Sequence, residues 1–335
     1  MSKLKRYRKL IISVLMISVS VLIIRFISSI DFHILNMYLQ RMPSMFLLVI
    51  AISFVGYFFS SLGWKLCMGE EGMNISIWKI FIIRHIGEML GAFNPTSIIA
   101  GDSLKISYLV KSGISTKIGL SSILLMRMIT VLSSIFLIVV SIFYLIFSKF
   151  GNGKTFVLFL LIALVMISGF LMAKYLLDDH LYLGKTLERI KSKTNWSFLT
   201  SKTIDSCYEI NTLASDYFKH HKLNFLLAFL LLTLHWVCGA LEFFIILQTL
   251  HVNISVIDAI SMEVGVSLFK SLGAIVPGQI GIEEYGNKIM LDVVAVKGNE
   301  IWFVVSLVRR SRQLFWLSVA GVFFLITKRK KFTLQ

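Results

Sequence analysis

The chain reads as an all-α, polytopic transmembrane helical bundle, and three observations carry that reading. Its 335 residues are 56% hydrophobic and 16% charged with a mean hydropathy of +0.81, too little polar surface to cover a soluble globule of this size. The apolar residues come in runs of about twenty, the length a helix needs to cross hydrocarbon. Only three prolines interrupt them, and the short alternating strands of a membrane barrel are missing from the pattern.

The opening MSKLKRYRKL and the apolar run behind it imitate a signal peptide. The run continues past Ile24 without a small-residue cleavage site, so it reads as a retained first helix. Full crossings are expected at residues 10–30, 45–67, 118–148, 154–177, 222–250 and 300–327. Two further segments, 76–112 and 256–297, start apolar and turn polar beyond a central proline. That is the pattern of a broken helical hairpin entering and leaving on one side, and re-entrant and twice-crossing forms both satisfy it. The whole chain, 1–335, reads as one integral membrane domain with halves 1–150 and 151–335. A basic connector at about 178–221 places Leu183, Leu187 and Ile190 on one helical face, as expected of a segment resting on an anionic leaflet.

The net charge of +16 sits in clusters beside the apolar runs rather than on a polar domain, which favours membrane lipid as partner over nucleic acid. Cys67, Cys207 and Cys238 lack any disulfide or zinc spacing and read as packing residues. Orientation follows the lysines and arginines near span ends. Lys3, Lys5, Arg6, Arg8 and Lys9, the connector and the tail from Lys328 all belong inside, giving a cell-membrane protein with both termini cytoplasmic. Six crossings satisfy this when the first broken segment is entered from the cytoplasm and the second from outside.

The two broken segments share a layout. Asp102 stands seven residues after Pro95, and Glu284 seven after Pro277; Arg127 and Arg309 each follow their proline by thirty-two. With the topology above, the paired offsets describe an inverted repeat. Pro95 and Pro277 remove backbone donors, and Gly101, Gly278 and Gly281 permit conformations closed to other residues, so the helices are expected to break there. A break survives in a membrane only against protein or a wet cavity, which makes the two breaks the walls of a polar chamber. Asp102, Glu283 and Glu284 can cap the second legs, pair with cations or carry coupling protons.

Arg127, Arg309, Arg310 and Arg312 lie on spans where each arginine at mid-membrane costs roughly 2.5–3.5 kcal/mol, so they must pair with those carboxylates, bind a lipid phosphate or snorkel. Arg84, His85 and Glu88 share one helical face, as do His235, Cys238 and Glu242. For the latter, intramembrane hydrogen bonding is favoured over a metal site, because no fourth ligand is supplied.

Phe93 to Lys105, FNPTSIIAGDSLK, resembles the first signature of the flippase-like family also called the lysylphosphatidylglycerol synthase transmembrane region: a proline, then Gly-Gly-Asp, then arginine. Ile275 to Glu284, IVPGQIGIEE, resembles the second, a Pro-Gly-x-x-Gly turn followed by glutamate. The likeness covers nearly the whole chain. Ala100 departs from the first glycine, and Lys105 keeps the charge of the usual arginine without its planar fork. In multiple peptide resistance factors this region resembles the part that moves aminoacylated phosphatidylglycerol between leaflets, while a soluble domain makes the lipid. That domain is not found here, so the resemblance implies lipid handling rather than aminoacyl transfer.

The expected function is therefore a lipid flippase or lipid-linked-intermediate transporter for an anionic or modified phospholipid. Arg127, Arg309, Lys105, Asn94 and Gly278 would bind substrate, and Asp102, Glu283 and Glu284 would couple or pair charge. A non-transporting subunit for a separate synthase or transferase is the second reading; a lipid-modifying transferase is the third, and no catalytic motif supports it. The sequence contains no G-x-x-x-x-G-K-[ST] loop and asks for no cofactor or resident metal, so net pumping would draw on a gradient.

The topology predicts that a cysteine introduced at Asn152 is modified by an impermeant reagent in intact cells. Modification only after permeabilisation would overturn the orientation and the inverted repeat with it.

Overall fold

The computed structural model describes residues 42–91, 95–148, 181–193, 200–273 and 279–329, together with Val276 and single helical positions between 163 and 174. The expected span 10–30 with its basic start, most of 154–177, the loop at 151–153 and the tail beyond Arg329 lie outside the described residues. Within them every regular element is a helix.

Among the described residues three helices are long and apolar enough to cross a bilayer: α1 (Met42–Leu66), α5 (Thr116–Ser148) and α8 (Lys222–Thr249). They stand within a few residues of the spans read from sequence. Helix α2 (Gly69–Met73) is a single turn. Helix α11 (Asn299–Arg329) has 31 residues, but Arg309, Arg310 and Arg312 break its apolar run. The two broken segments are hairpins, α3 (Ile77–Gly91) with α4 (Pro95–Val110), and α9 (Val256–Leu272) with α10 (Ile282–Val293). Their legs have 15, 16, 17 and 12 residues. All are shorter than α1, α5 and α8, and in each hairpin the two legs pack on one another. The connector forms α6 (Tyr182–Lys193) and α7 (Ser201–His220).

Hydrogen bonds fix which ends lie together. The Tyr217 hydroxyl on α7 donates to the Leu66 carbonyl (2.9 Å), and Lys117 on α5 pairs with Glu209 on α7 (3.0 Å). The Ser115 N–H donates to Glu71 (3.0 Å), and Tyr108 meets Thr327 (3.5 Å). The end of α1, both ends of the first hairpin, the start of α5 and the end of α11 therefore share the connector face. On the opposite face Tyr144, near the end of α5, meets Ser255 at the start of α9 (3.1 Å). Met45, Leu250, Val294 and Val296 share one buried cluster there, gathering the start of α1, the end of α8 and the end of α10. The two hairpins thus enter the bundle from opposite faces.

The spine is α1 against α8. Gly56 and Gly63, two turns apart, let the helices approach: a Cβ on Gly56 would stand 2.9 Å from Cys238 Cβ, and one on Gly63 3.1 Å from Leu232 Cγ. Close approach of small residues is what packs helices where lipid tails are as apolar as leucine. His235 Nδ1 donates to the Gly56 carbonyl (3.0 Å), closing the same contact. Indole N–H groups tie the spine to its neighbours, Trp64 to Ser122 (3.2 Å), Trp236 to the Thr130 carbonyl (3.1 Å) and Trp316 to Ser53 (2.8 Å). Around the spine α5 packs on α9, and α11 packs on α3.

Pro95 is the first residue of α4, where a missing N–H leaves no intrahelical bond unmade. Gly281, ahead of α10, has φ +83°, a left-handed conformation that glycine adopts without strain. Pro277 and Gly278 lie outside the described residues. Gly101 requires a correction: the sequence places it at the break, but it lies inside α4, one and a half turns past Pro95. Its purpose is proximity, because a Cβ there would collide with the Gly87 carbonyl oxygen on α3.

Gly101→Val should therefore push the legs of the first hairpin apart and cost about 1–3 kcal/mol as overpacking. Gly119→Ala on α5, whose Cβ would meet Leu109 at an ordinary 3.6 Å, should be neutral. Thermal unfolding of the two variants in the same detergent distinguishes them.

Candidate functional site

A guanidinium or carboxylate inside an apolar bundle must find an opposite charge, because the alternative is an unsolvated ion. The described residues meet this demand in two clusters, one on each hairpin.

On the first hairpin, Lys105 of α4 reaches across Gly87 to Glu88 of α3 (2.8 Å) and also touches Asp102 (3.3 Å). The other oxygen of Asp102 accepts from Arg127 of α5 (2.7 Å). This cluster is partly open, with the Arg127 side chain 48% exposed and that of Glu88 54%.

The second cluster is larger, with a buried centre and a partly exposed rim of Lys270, Arg310 and Glu284. Arg309 of α11 is 2% exposed and has three carboxylates around it: Glu263 of α9 (2.9 Å), Glu242 of α8 (3.6 Å) and Glu283 of α10 (3.6 Å). Its guanidinium also lies 4.0 Å from the centroid of the Phe243 ring. Arg312 pairs with Glu242 (2.6 Å). Arg310 binds Glu284 and donates to the Gln279 carbonyl (3.0 Å). Gln313 donates to Glu283 (2.7 Å), which Lys270 also approaches (3.5 Å). Four cations, Lys270, Arg309, Arg310 and Arg312, thus face four carboxylates. Gly239 makes room for this, because a Cβ there would stand 2.8 Å from Glu263 Oε1.

Of the residues singled out by sequence, Asp102, Lys105 and Arg127 come together, as do Glu283, Glu284 and Arg309. Asn94 and Gly278 lie outside the described residues. The matched offsets pair Asp102 with Arg127 directly, but in the second hairpin the partner of Glu284 is Arg310, one residue beyond the matched Arg309. Glu284 also accepts from the Gly281 N–H (2.7 Å), so it caps α10 and holds a cation at once. Arg310 and Arg312, for which snorkelling was an alternative, are paired within the bundle.

Three participants escaped the sequence reading: Glu88 as the partner of Lys105, and Glu263 with Lys270 on α9. One signal was present, since Lys270 stands seven residues before Pro277, as Glu88 stands seven before Pro95. The face of His235, Cys238 and Glu242 is divided among the Gly56 carbonyl, packing on Gly56 and Arg312.

A helical bundle with bilayer-length spans, two helical hairpins and paired charge at its centre defines a polytopic membrane protein. Residues 10–321 match the family described as the lysylphosphatidylglycerol synthase TM region, and the chain belongs to it. No curated protein and no solved structure matches the chain.

Arg309→Leu leaves Glu263 and Glu283 short of a buried partner and should cost about 3–5 kcal/mol. Arg127→Gln, at a half-exposed pair, should cost no more than about 1 kcal/mol. Denaturant unfolding of the purified variants measures both.

Proposed function

We propose that the protein moves an anionic phospholipid or lipid-linked intermediate between leaflets of the cell membrane, with both termini cytoplasmic. One observation carries this reading: two charge clusters occupy corresponding places on hairpins that enter from opposite faces, one half-open at Arg127 and Glu88 and the other buried at its centre around Arg309. A substrate exchanged between two faces needs a central polar region that opens to one face at a time. The reciprocal packing of α5 on α9 and α11 on α3 supports an inverted duplication, as do the paired offsets from Pro95 and Pro277.

An anionic headgroup must lose water on the way, and a guanidinium replaces part of that hydration with charge-assisted hydrogen bonds. Arg127, half exposed and, among the described residues, salt-bridged to Asp102, is the arginine free to exchange its carboxylate for a phosphate. Lys105 stands beside it as a second donor. Arg309, Glu283 and Glu284 would open when the second hairpin takes its turn. Protonation of a carboxylate in either cluster would release its cation, and this is how a proton gradient could drive the cycle. Acyl chains remain in the bilayer throughout.

Reconstitution into vesicles with labelled lipids and an outer-leaflet quench tests the reading. Arg127→Gln should slow lipid movement roughly tenfold or more, on the scale of a lost charged hydrogen bond. Arg127→Lys should restore part of it. Where pairing alone matters, Asp102→Asn added to Arg127→Gln restores transport. Movement that survives Arg127→Gln and Arg309→Gln together in correctly inserted protein would sink the headgroup-binding role of these arginines, and no movement by the unaltered protein would favour a subunit that supports a separate synthase.

A further inference from the structure

The spine helix α1 has one side that no described helix covers. Between Phe46 and Leu66 its exposed residues are Leu47, Leu48, Ala51 and Val55, at i, i+1, i+4 and i+8. That spacing is a single stripe along one side of a helix. The other sides of α1 meet α8, α3, α11 and α5.

The stripe is the floor of an apolar groove. Leu47, Ala51 and Val55 of α1, Trp78 of α3, and Phe315 and Phe323 of α11 line an open cavity of about 740 Å³. All its lining side chains are aliphatic or aromatic. Such a groove fits the side of an apolar helix and offers nothing to a charged one.

The connection of the chain says which helix. Two apolar stretches long enough to cross a membrane, 10–30 and 154–177, lie wholly or mostly outside the described residues. The second has its seat elsewhere, because a Cβ on Gly169 would stand 3.1 Å from Ile135 Cδ1 on α5. The first joins α1 through residues 31–41, enough for an antiparallel turn, which takes about 2–8 residues. Because α1 starts on the face opposite the connector, a crossing that hands over to it must end on that face and run antiparallel to it. Elements consecutive in a chain tend to pack side by side, and the open side of α1 is the groove. Small residues suit the contact. Ser13 and Ser20, seven apart, share one side of such a helix, and Ala51 is the smallest residue of the floor.

We propose that the apolar stretch 10–30 crosses the membrane as a helix seated in this groove, antiparallel to α1, with Ser20 near the level of Val55. The seated helix braces α3, the leg of the first hairpin that carries Glu88. This assignment does not depend on whether the protein moves lipid.

Disulfide trapping in the full chain, in native membranes, tests it. Cys67, Cys207 and Cys238 are changed to Ala, Val55 to Cys, and a second cysteine is moved through residues 17–23 one at a time. Links within one chain should be strong at Ile17 and Ser20 and weak at Ser18 and Leu22, because only one side of a seated helix comes within disulfide reach. Asn287→Cys with Ser306→Cys, whose native side chains meet at 3.1 Å between α10 and α11, is the positive control for oxidation and folding. Ala51→Trp, which fills the floor of the groove, should abolish the links to Val55→Cys while the control pair still forms. Even yields across the scan, or none where the control links, would overturn the seat and leave the groove to acyl chains. Links found only between chains would overturn it too and assign the groove to a second copy.

Discussion

Arg309 sits among Glu242, Glu263 and Glu283 because an unpaired charge inside an apolar bundle is costly, and this constraint orders the helices around it. To satisfy one guanidinium, α8, α9 and α10 must all present a carboxylate to the same stretch of α11. Each of those helices is thereby fixed in rotation as well as in position. The first hairpin obeys the same rule with fewer members, since Lys105 bridges α3 and α4 while Asp102 reaches out to α5. Packing area alone would let apolar helices slide past one another, whereas pairing by charge specifies register.

Close backbone approach is the complementary device. Gly56 and Gly63 bring α1 onto α8, Gly87 and Gly101 bring the legs of the first hairpin together, and Gly239 admits the Glu263 carboxyl. In each case the missing Cβ places a carbonyl, a helix or a charged group where a larger residue would hold it off. The short hairpin legs depend on this most, because each has fewer residues along which to pack than the full spans.

Much of this architecture was legible in the sequence. The spans stand out because their length is set by bilayer thickness, and the hairpins because a proline in a long apolar run has few other uses. The matched spacing brought Asp102 to Arg127, but the shift from Arg309 to Arg310 as the partner of Glu284 could not be read. One residue turns a helix by 100°, and only tertiary packing decides which way α11 faces. Glu263 and Lys270 were overlooked because single charges in an apolar helix carry no period. Gly101 was assigned to the turn because glycine serves turns and close contacts alike, and a sequence does not separate the two.

The arginines of α11 also bear on how the chain enters the membrane. A helix with Arg309, Arg310 and Arg312 near its middle is a poor substrate for insertion alone, at roughly 2.5–3.5 kcal/mol for each. Synthesis runs from the N-terminus, so Glu242, Glu263, Glu283 and Glu284 have all left the ribosome before α11 emerges. Helix α11 can then partition from the translocon into a preformed acidic cradle instead of into lipid. Placing these arginines on a later segment and their counter-ions on earlier ones makes the order of translation part of the folding pathway.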